Sequence, residues 1–376
     1  MKTSSLPNQF SVLIPDGEAT YALSVVRCLA EVKDIEIYIL SKNKYAPIRF
    51  CRHIAKFIHL SYGDTEEEFL EAIINTINKT NAKVLLPVDI SAIRLISQNR
   101  SSISDLIAVA PLPETGSFDI SNDKWLLSQW VNLFGIHHPK TLLFSPGNDF
   151  EGILNSITFP IIVKPRNGRG GQGIAIFENQ SEAISWFREF DHIGDYIIQS
   201  YINGYDIDCS ILSKDGEIIA HTIQKSIKYS VDYPWPYGLE FKHNEEVFSI
   251  AREVVAKMKW SGVVHMDLRY DEVKKEVNLI EMNPRFWASV TASIFAGVNF
   301  PIYSCLKALG YPKPDFQLKD SIVLRTGPAL KMTWKRIFSN KREYYFDHSF
   351  FEFILKDPMP TLIGETLEYY QHYKKR

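Results

Sequence analysis

Late in the chain, two alternating runs face each other across a short charged turn, and this pairing constrains the fold more than any other feature. In Gly262-Val-Val-His265-Met-Asp267-Leu-Arg269-Tyr-Asp271, the residues Val264, Met266, Leu268 and Tyr270 fall on one face of an extended strand, and His265, Asp267 and Arg269 on the other. The second run, Val277-Asn-Leu-Ile-Glu281-Met-Asn283-Pro-Arg285, sets Ile280 and Met282 against Glu281 and Asn283. Glu272-Val-Lys-Lys-Glu276 joins the two as an antiparallel hairpin. With the turn centred on Lys274, Asp267 lies opposite Glu281 and His265 opposite Asn283. Two carboxylates directly across a ladder repel each other, which destabilises the pair unless a cation sits between them. The oxygens of Asp267, Glu281 and Asn283 suit a hard ion such as Mg²⁺, or Mn²⁺ in its place, with phosphate oxygens and water completing the octahedron. A slip of one residue in register would spoil the cross-strand pairing but would leave Glu281 and Asn283 on a shared face. The plainer alternative is an edge hairpin whose polar face is simply solvated.

A second segment carries the complementary charge. Ile161-Ile-Val-Lys164-Pro165-Arg166-Asn167-Gly168-Arg169-Gly170-Gly171-Gln172-Gly173 is a strand that delivers a lysine, followed by a glycine-rich loop with two arginines and no apolar residue. Glycines let backbone N–H groups approach an anion, and the lysine and arginines add charge-assisted hydrogen bonds to phosphate. The loop is neither a Walker A sequence nor a dinucleotide fingerprint, since G-x-x-x-x-G-K-S/T is absent from it and no helix opens directly from it. Its alternative is a surface hairpin loop with solvated charges.

The rest of the chain frames these two segments. Strands near Ser11–Ile14, Ile35–Leu40 and Lys83–Pro87 alternate with helical patterns at Tyr21–Val32 and Thr65–Asn78, which predicts a parallel, doubly wound α/β unit. Asp16 and Asp89 follow strands on the side where such sheets bind ligands, although a cap or turn role suits each of them as well. Pro111-Leu-Pro-Glu-Thr-Gly116 marks a boundary, and a helix starts at Ser121-Asn-Asp-Lys124. The balance of 42 Lys+Arg against 44 Asp+Glu gives no basic field of the kind a dedicated nucleic-acid binder shows. No apolar run reaches membrane-spanning length, the start has no apolar signal core, and the four scattered cysteines read as reduced packing residues, so the expectation is a cytoplasmic protein. The aromatic, mildly basic tail from about residue 320 and the loop Tyr229–Gly238 have no assigned role, beyond a possible substrate contact for the loop.

Taken in this order and spacing, the two charged segments resemble the ATP-grasp superfamily, over about Lys124 to Leu309. The resemblance implies an N-terminal doubly wound α/β domain at 1–115 and an ATP-grasp fold at 116–320, whose two α+β subdomains clasp ATP. A mobile lid lies near 140–203, and 321–376 form a C-terminal extension. By the same resemblance, Lys124 and Lys164 hold nucleotide phosphates under a loop carrying Arg169, Gly170 and Gly171. The hinge Gln199-Ser200-Tyr201-Ile202 meets the adenine, and Asp206 the ribose. Gln199 stands where a glutamate is frequent, and Asp206 is shorter than the usual glutamate. Asp267, Glu281 and Asn283 are implied as metal ligands, and Arg285, with Lys164, as the residue meeting the transferred phosphate or the substrate carboxylate. The implied reaction passes the γ-phosphoryl group of ATP to a small-molecule carboxylate, giving an acylphosphate that an amine (or a thiol) attacks. Two rivals use the same motifs: bicarbonate as the carboxylate, in carboxylase or carbamoyl phosphate chemistry, and a non-catalytic ATP-binding sensor. Nucleic acid and membrane are not expected partners, and self-association into a homo-oligomer stays open.

Overall fold

The computed structural model describes residues 10–61, 65–168, 172–189, 194–227, 236–338 and 346–374. Arg169, Gly170 and Gly171 lie outside these residues, as does most of the aromatic stretch 229–238. Among the described residues, no helix is long and apolar enough to cross a membrane.

Among the described residues, three sheets organise the chain. The first holds β1 (Phe10–Ile14), β2 (Ile35–Ser41), β3 (Lys56–His59), β4 (Val84–Leu85) and β5 (Ala108–Val109), all parallel, in the order β3-β2-β1-β4-β5. Every residue of β1 is buried, as expected of a central parallel strand covered on both faces. Helices Ala22–Leu29, Glu66–Lys79 and Ile90–Gln98 supply that cover. The second of these begins with a capping box, in which Thr65 and Glu68 satisfy each other's backbone N–H, followed by three glutamates in its first turn. The strand order reverses between β1 and β4.

The second sheet is a smaller antiparallel one of β6 (Thr141–Phe144), β7 (Ile161–Pro165), β8 (Ala175–Phe177) and β9 (Tyr196–Ser200), in the order β6-β9-β7-β8. Its apolar core is its own, built from Phe144, Phe150, Val163, Ile198 and their neighbours, with Phe150 stacked on Phe187 at 4.0 Å.

The third and largest sheet comprises β10 (Gly204–Lys214), β11 (Glu217–Ile227), β12 (Gly238–Phe241), β13 (Gly262–Asp271), β14 (Glu276–Asn283), β15 (Ser321–Leu324) and β16 (His348–Ser349). Its order is β14-β13-β10-β11-β12-β15-β16. One face packs on helix Glu245–Lys257 through Cys209, Ile211, Val264 and Met266. The alternate residues Leu212, Ala220 and Val263 belong to a different cluster, which they share with Val12, Ile14, Phe286, Trp287 and helix Phe300–Ala308. The core thus runs without a break from the first sheet into the third. The tail beyond residue 320 contributes two strands to this sheet, and Arg27 reaches across to Thr361 at 2.8 Å.

At the hairpin, the register matches the expectation where it matters and departs from it nearer the turn. Asp267 pairs with Glu281 and His265 with Asn283, as a turn centred on Lys274 requires. Between Asp267 and Leu268 the register shifts, so Leu268 faces Leu279 and Asp271 faces Glu276. The tight tip accounts for the shift: Lys275 takes a left-handed φ of 58° and donates its N–H to the Asp271 carbonyl at 2.8 Å. The bulge corrects the simple alternation. Val277, Leu279 and Met282 enter the core together, and Ile280 is left half-buried outside it.

Candidate active site

Glu281 and Asn283 share the polar face of β14 with Asp267 beside them on β13, and the Asn283 Nδ2 donates to Asp267 Oδ2 at 3.3 Å. The ladder extends this row. Asp208 on β10 pairs with Asp267, so three carboxyls lie across adjacent strands. One ligand atom each from Asp208, His265 and Asp267 falls within 4.8 Å of the others. Burial pushes Asp267 up to about 6, against the pull of Arg285 and Lys164. Burial and then Asp267 raise Glu281, and the same two causes carry Asp208 well above the carboxylate range. Such a set of oxygen donors, held together against its own repulsion, fits a divalent cation.

His265 is built into this face and takes a packing role. Its Nδ1 shares a 2.9 Å hydrogen bond with Ser210 Oγ, its Nε2 lies 3.3 Å from Asp267 Oδ1, and its ring stacks on Trp287. Burial drives its pKa down to about 3.

Positive charge arrives from two other elements. Lys164 sits in the ladder of β7 and is only 4% exposed. Burial lowers its pKa to about 8, while Glu281 pulls it upward and Asp267 does so more weakly. Lys124 opens helix Lys124–Leu133, whose N-terminus Asp123 caps by accepting from the N–H groups of Trp125 and Leu126. Its Nζ lies 3.6 Å from Glu281 Oε1, with the side chain 9% exposed, so this is no solvated surface lysine. Arg166 ties the root of the glycine loop to both neighbours, donating to Asp123 at 2.7 Å and to Asp195 at 3.0 Å.

The hinge is placed more unevenly. Gln199 is buried and donates to Thr141 Oγ1 at 2.8 Å, which commits its side chain to the interior of the small sheet and away from the charged cluster. The N–H groups of Ser200 and Tyr201 are used by Lys140 and Pro160 carbonyls. Asp206 accepts from Arg269, which also donates to the carbonyls of Ile202 at 2.8 Å and Gly204 at 2.9 Å and to the Tyr201 hydroxyl at 3.2 Å. Gly204 has to be glycine, because a Cβ there would lie 1.8 Å from the Tyr270 carbonyl oxygen. Arg269 therefore fastens the segment after β9 onto the strand that carries Asp267.

Arg285, 6% exposed, donates to Asn283 Oδ1 at 3.0 Å and to the Phe286 carbonyl at 2.9 Å. Its guanidinium lies 4.9 Å from the Tyr21 ring, and its Nε 3.9 Å from Asp89, so it also faces the first sheet. Asp89 caps helix Ile90–Gln98, and Asp16 accepts from the N–H groups of Val88 and Asp89. Burial pushes Asp16 up from 3.8 to about 8. The folded state thus favours the neutral carboxyl: its contribution to stability is complete below 3.8 and is lost as pH rises towards about 8. An Asp16→Asn variant, which mimics the protonated form, is expected to gain on the parent in melting temperature from about pH 5 upward. The gain is at most about 1.4 kcal/mol per pH unit. Parallel pH series of thermal melts test this, and parallel curves would refute it.

Asp208 is the residue of this cluster whose place was not read from the sequence; Arg269 was read on the polar face, but not its hydrogen bonds to the hinge. The Asp206-Ile-Asp208 alternation was a signal for Asp208, but only the pairing of β10 with β13 brings it to the hairpin.

The sequence profile of the ATP-grasp domain matches residues 121–289. Over these residues the chain is similar to the ATP-grasp domain family. Among curated relatives, the C-terminal section of the carbamoyl phosphate synthase large chain of Aquifex aeolicus is 22% identical over 347 residues, covering 89% of this chain and 57% of that protein. D-alanine–D-alanine ligase A of Bacillus cereus is 25% identical over 220 residues, covering 56% of this chain and 59% of the relative. The chain spans about half the length of the first curated relatives it matches, 46% and 57%. Among solved structures, the biotin carboxylase domain of the 2-oxoglutarate carboxylase of Hydrogenobacter thermophilus, crystallised with MgADP and bicarbonate, superposes with a TM-score of 0.63 at 18% identity. The match covers 83% of this chain and 73% of that one. The fold is therefore an N-terminal α/β unit followed by an ATP-grasp fold.

Proposed function

We propose that this ATP-grasp chain is an ATP- and Mg²⁺-dependent ligase that phosphorylates a carboxylate and couples the resulting acylphosphate to an amine. The reading rests on one observation above all: Lys124 and Lys164, from a helix and from the small sheet, face the Asp267–Glu281–Asn283 surface of the large one. Phosphoryl transfer asks a protein mainly for positioning and for neutralisation of phosphate charge. In this reading, Lys124 and Lys164 hold phosphate oxygens of ATP, and the loop with Arg169, Gly170 and Gly171 covers them. Backbone groups of Ser200 to Ile202 meet the adenine edge, and Asp206, steadied by Arg269, the ribose. Bound Mg²⁺, or Mn²⁺, held by Asp267, Glu281 and Asn283, would supply the balancing positive charge. Arg285 orients the acceptor carboxylate between Asn283 and the first sheet. The division of the chain goes with this reading: 1–115 before the ATP-grasp domain, 116–320 within it, 321–376 after it, and 140–203 as the lid, whose separate core suits movement. A cytoplasmic location, with its supply of ATP and Mg²⁺, goes with it too.

Bicarbonate as the carboxylate is a second reading, favoured by the carbamoyl phosphate synthases among the relatives and by the bicarbonate in the biotin carboxylase structure.

ADP release, measured with a panel of carboxylic acids and amines under bicarbonate-free and bicarbonate-supplemented conditions, tests both. Acid-dependent ADP release that hydroxylamine traps as a hydroxamate is the expected result. Release that requires bicarbonate selects the second reading. Tight ATP binding with no substrate-stimulated ADP release would leave a nucleotide sensor in place of a ligase.

A further inference from the structure

Arg269 lies two residues beyond Asp267 on the same polar face of β13, about 7 Å along the strand, between the carboxyl row and the hinge. Its guanidinium is held by the rim. Nε donates to the Ile202 carbonyl at 2.8 Å, Nη2 to the Gly204 carbonyl at 2.9 Å and to the Tyr201 hydroxyl at 3.2 Å, and Nη1 to Asp206. The N–H groups of a guanidinium all point outward in its plane, so these four bonds fix the orientation of the plate and use most of its donors. The side chain is nevertheless 19% exposed. With the rim occupied, what stays open is a flat face, on the side of the sheet that carries Asp267.

That geometry selects a ligand. A phosphate or a carboxylate is bound through the rim, where the N–H groups point, and Asp206 already occupies that place and supplies the counter-charge. An aliphatic chain would cover the face of a cation without compensating it. A planar π system suits the face: a guanidinium is weakly hydrated, stacks on aromatic rings, and is attracted to their electron-rich faces. The hinge supports the same choice from another direction. Gln199 commits its amide to Thr141 in the interior, and the N–H groups of Ser200 and Tyr201 go to the Lys140 and Pro160 carbonyls. Few polar groups are left there for the edge of a ring, so its hold has to come largely through its faces.

We infer that the Arg269 guanidinium is the floor on which the nucleobase stacks, and that it sets a preference for electron-rich bases. The inference rests on the ATP reading of the site for the word nucleobase, while the flat, electron-rich ring rests on the guanidinium geometry alone.

Calorimetric titration of the full chain in the presence of Mg²⁺ tests it, with ADP, 7-deaza-ADP, 8-aza-ADP and pyrophosphate as probes. The three nucleotides share one hydrogen-bonding edge at N1 and N6 and differ in ring electron density, highest in the 7-deaza compound and lowest in the 8-aza one. Stacking on a cation therefore predicts that 7-deaza-ADP binds about threefold more tightly than ADP, and 8-aza-ADP about threefold more weakly. In Arg269→Leu, ADP is expected to lose about tenfold in affinity, the order among the three to flatten, and pyrophosphate to keep its affinity to within about twofold. Equal affinities in the parent, the reverse order, or an order that survives in Arg269→Leu overturns the inference. The parent series decides the matter even if the variant folds poorly. ADP binding without a preference within the series would leave the ATP reading standing and remove the stacked base. Failure of the parent to bind either ADP or pyrophosphate would remove the ATP reading and the base with it.

Discussion

A Lys164→Ala variant is expected to lose about 10³-fold or more in ATP-dependent turnover while keeping its fold. The ladder of β7 with β9 fixes where the Lys164 Cα points, so the ammonium is held in place before any nucleotide arrives. At 4% exposure it sits largely out of water, where a charge acts on its neighbours far more strongly than at a surface. Removing it deletes one of the two ammonium groups facing Glu281 and leaves the neighbouring carboxyls with less counter-charge. Stability should change little, by about 2 kcal/mol or less, because relief from burying the ammonium offsets the lost attraction. Steady-state ADP release together with a thermal melt checks both halves. Wild-type turnover in this variant would remove Lys164 from the chemistry.

Glu281→Gln should produce a comparable loss of turnover, about 10³-fold, by a different route. The substitution keeps shape and ladder pairing but removes one of two carboxylates set directly opposite each other. If their role is to share a cation, the apparent Mg²⁺ requirement of the remaining activity rises by about tenfold or more. The same geometry predicts the sign of the stability change. Without metal, the variant is relieved of like-charge repulsion across the ladder and of a buried carboxylate, so its melting temperature in EDTA should match or exceed that of the parent. Loss of the 3.6 Å contact with Lys124 limits that gain. With Mg²⁺ and ADP, the parent should gain stability and the variant much less. Equal stabilisation of both proteins by MgADP would show that Glu281 does not hold the ion.

Local patterns carried a good part of this arrangement. Alternation along β13 and β14, with a short charged turn, was enough to place Asp267 against Glu281, because a hairpin pairs neighbours in sequence. The lysine at the end of an apolar strand was legible for the same reason. What stayed hidden depends on contacts between distant segments. Asp208 joins the carboxyl row only because β10 pairs with β13, and Arg269 grips the hinge across the same ladder. Strand β3 went unseen because its Lys56-Phe-Ile-His59 is short, half-exposed and edged by charge, with no periodicity to announce it. The bulge at Ile280 was hidden too, since it arises from the left-handed backbone at Lys275, a position where the residue type gives no warning.

The unbroken core that joins the first sheet to the third has a mechanical consequence. Val12 and Ile14 of β1 pack in one cluster with Phe286, Trp287 and the helix Phe300–Ala308, so Arg285 and the Asp89 it faces travel as a single stiff block. The small sheet, by contrast, keeps an interior to itself. Any opening and closing during a reaction cycle therefore has to swing Lys164 relative to the carboxyl row, while the distance between that row and Asp89 stays fixed.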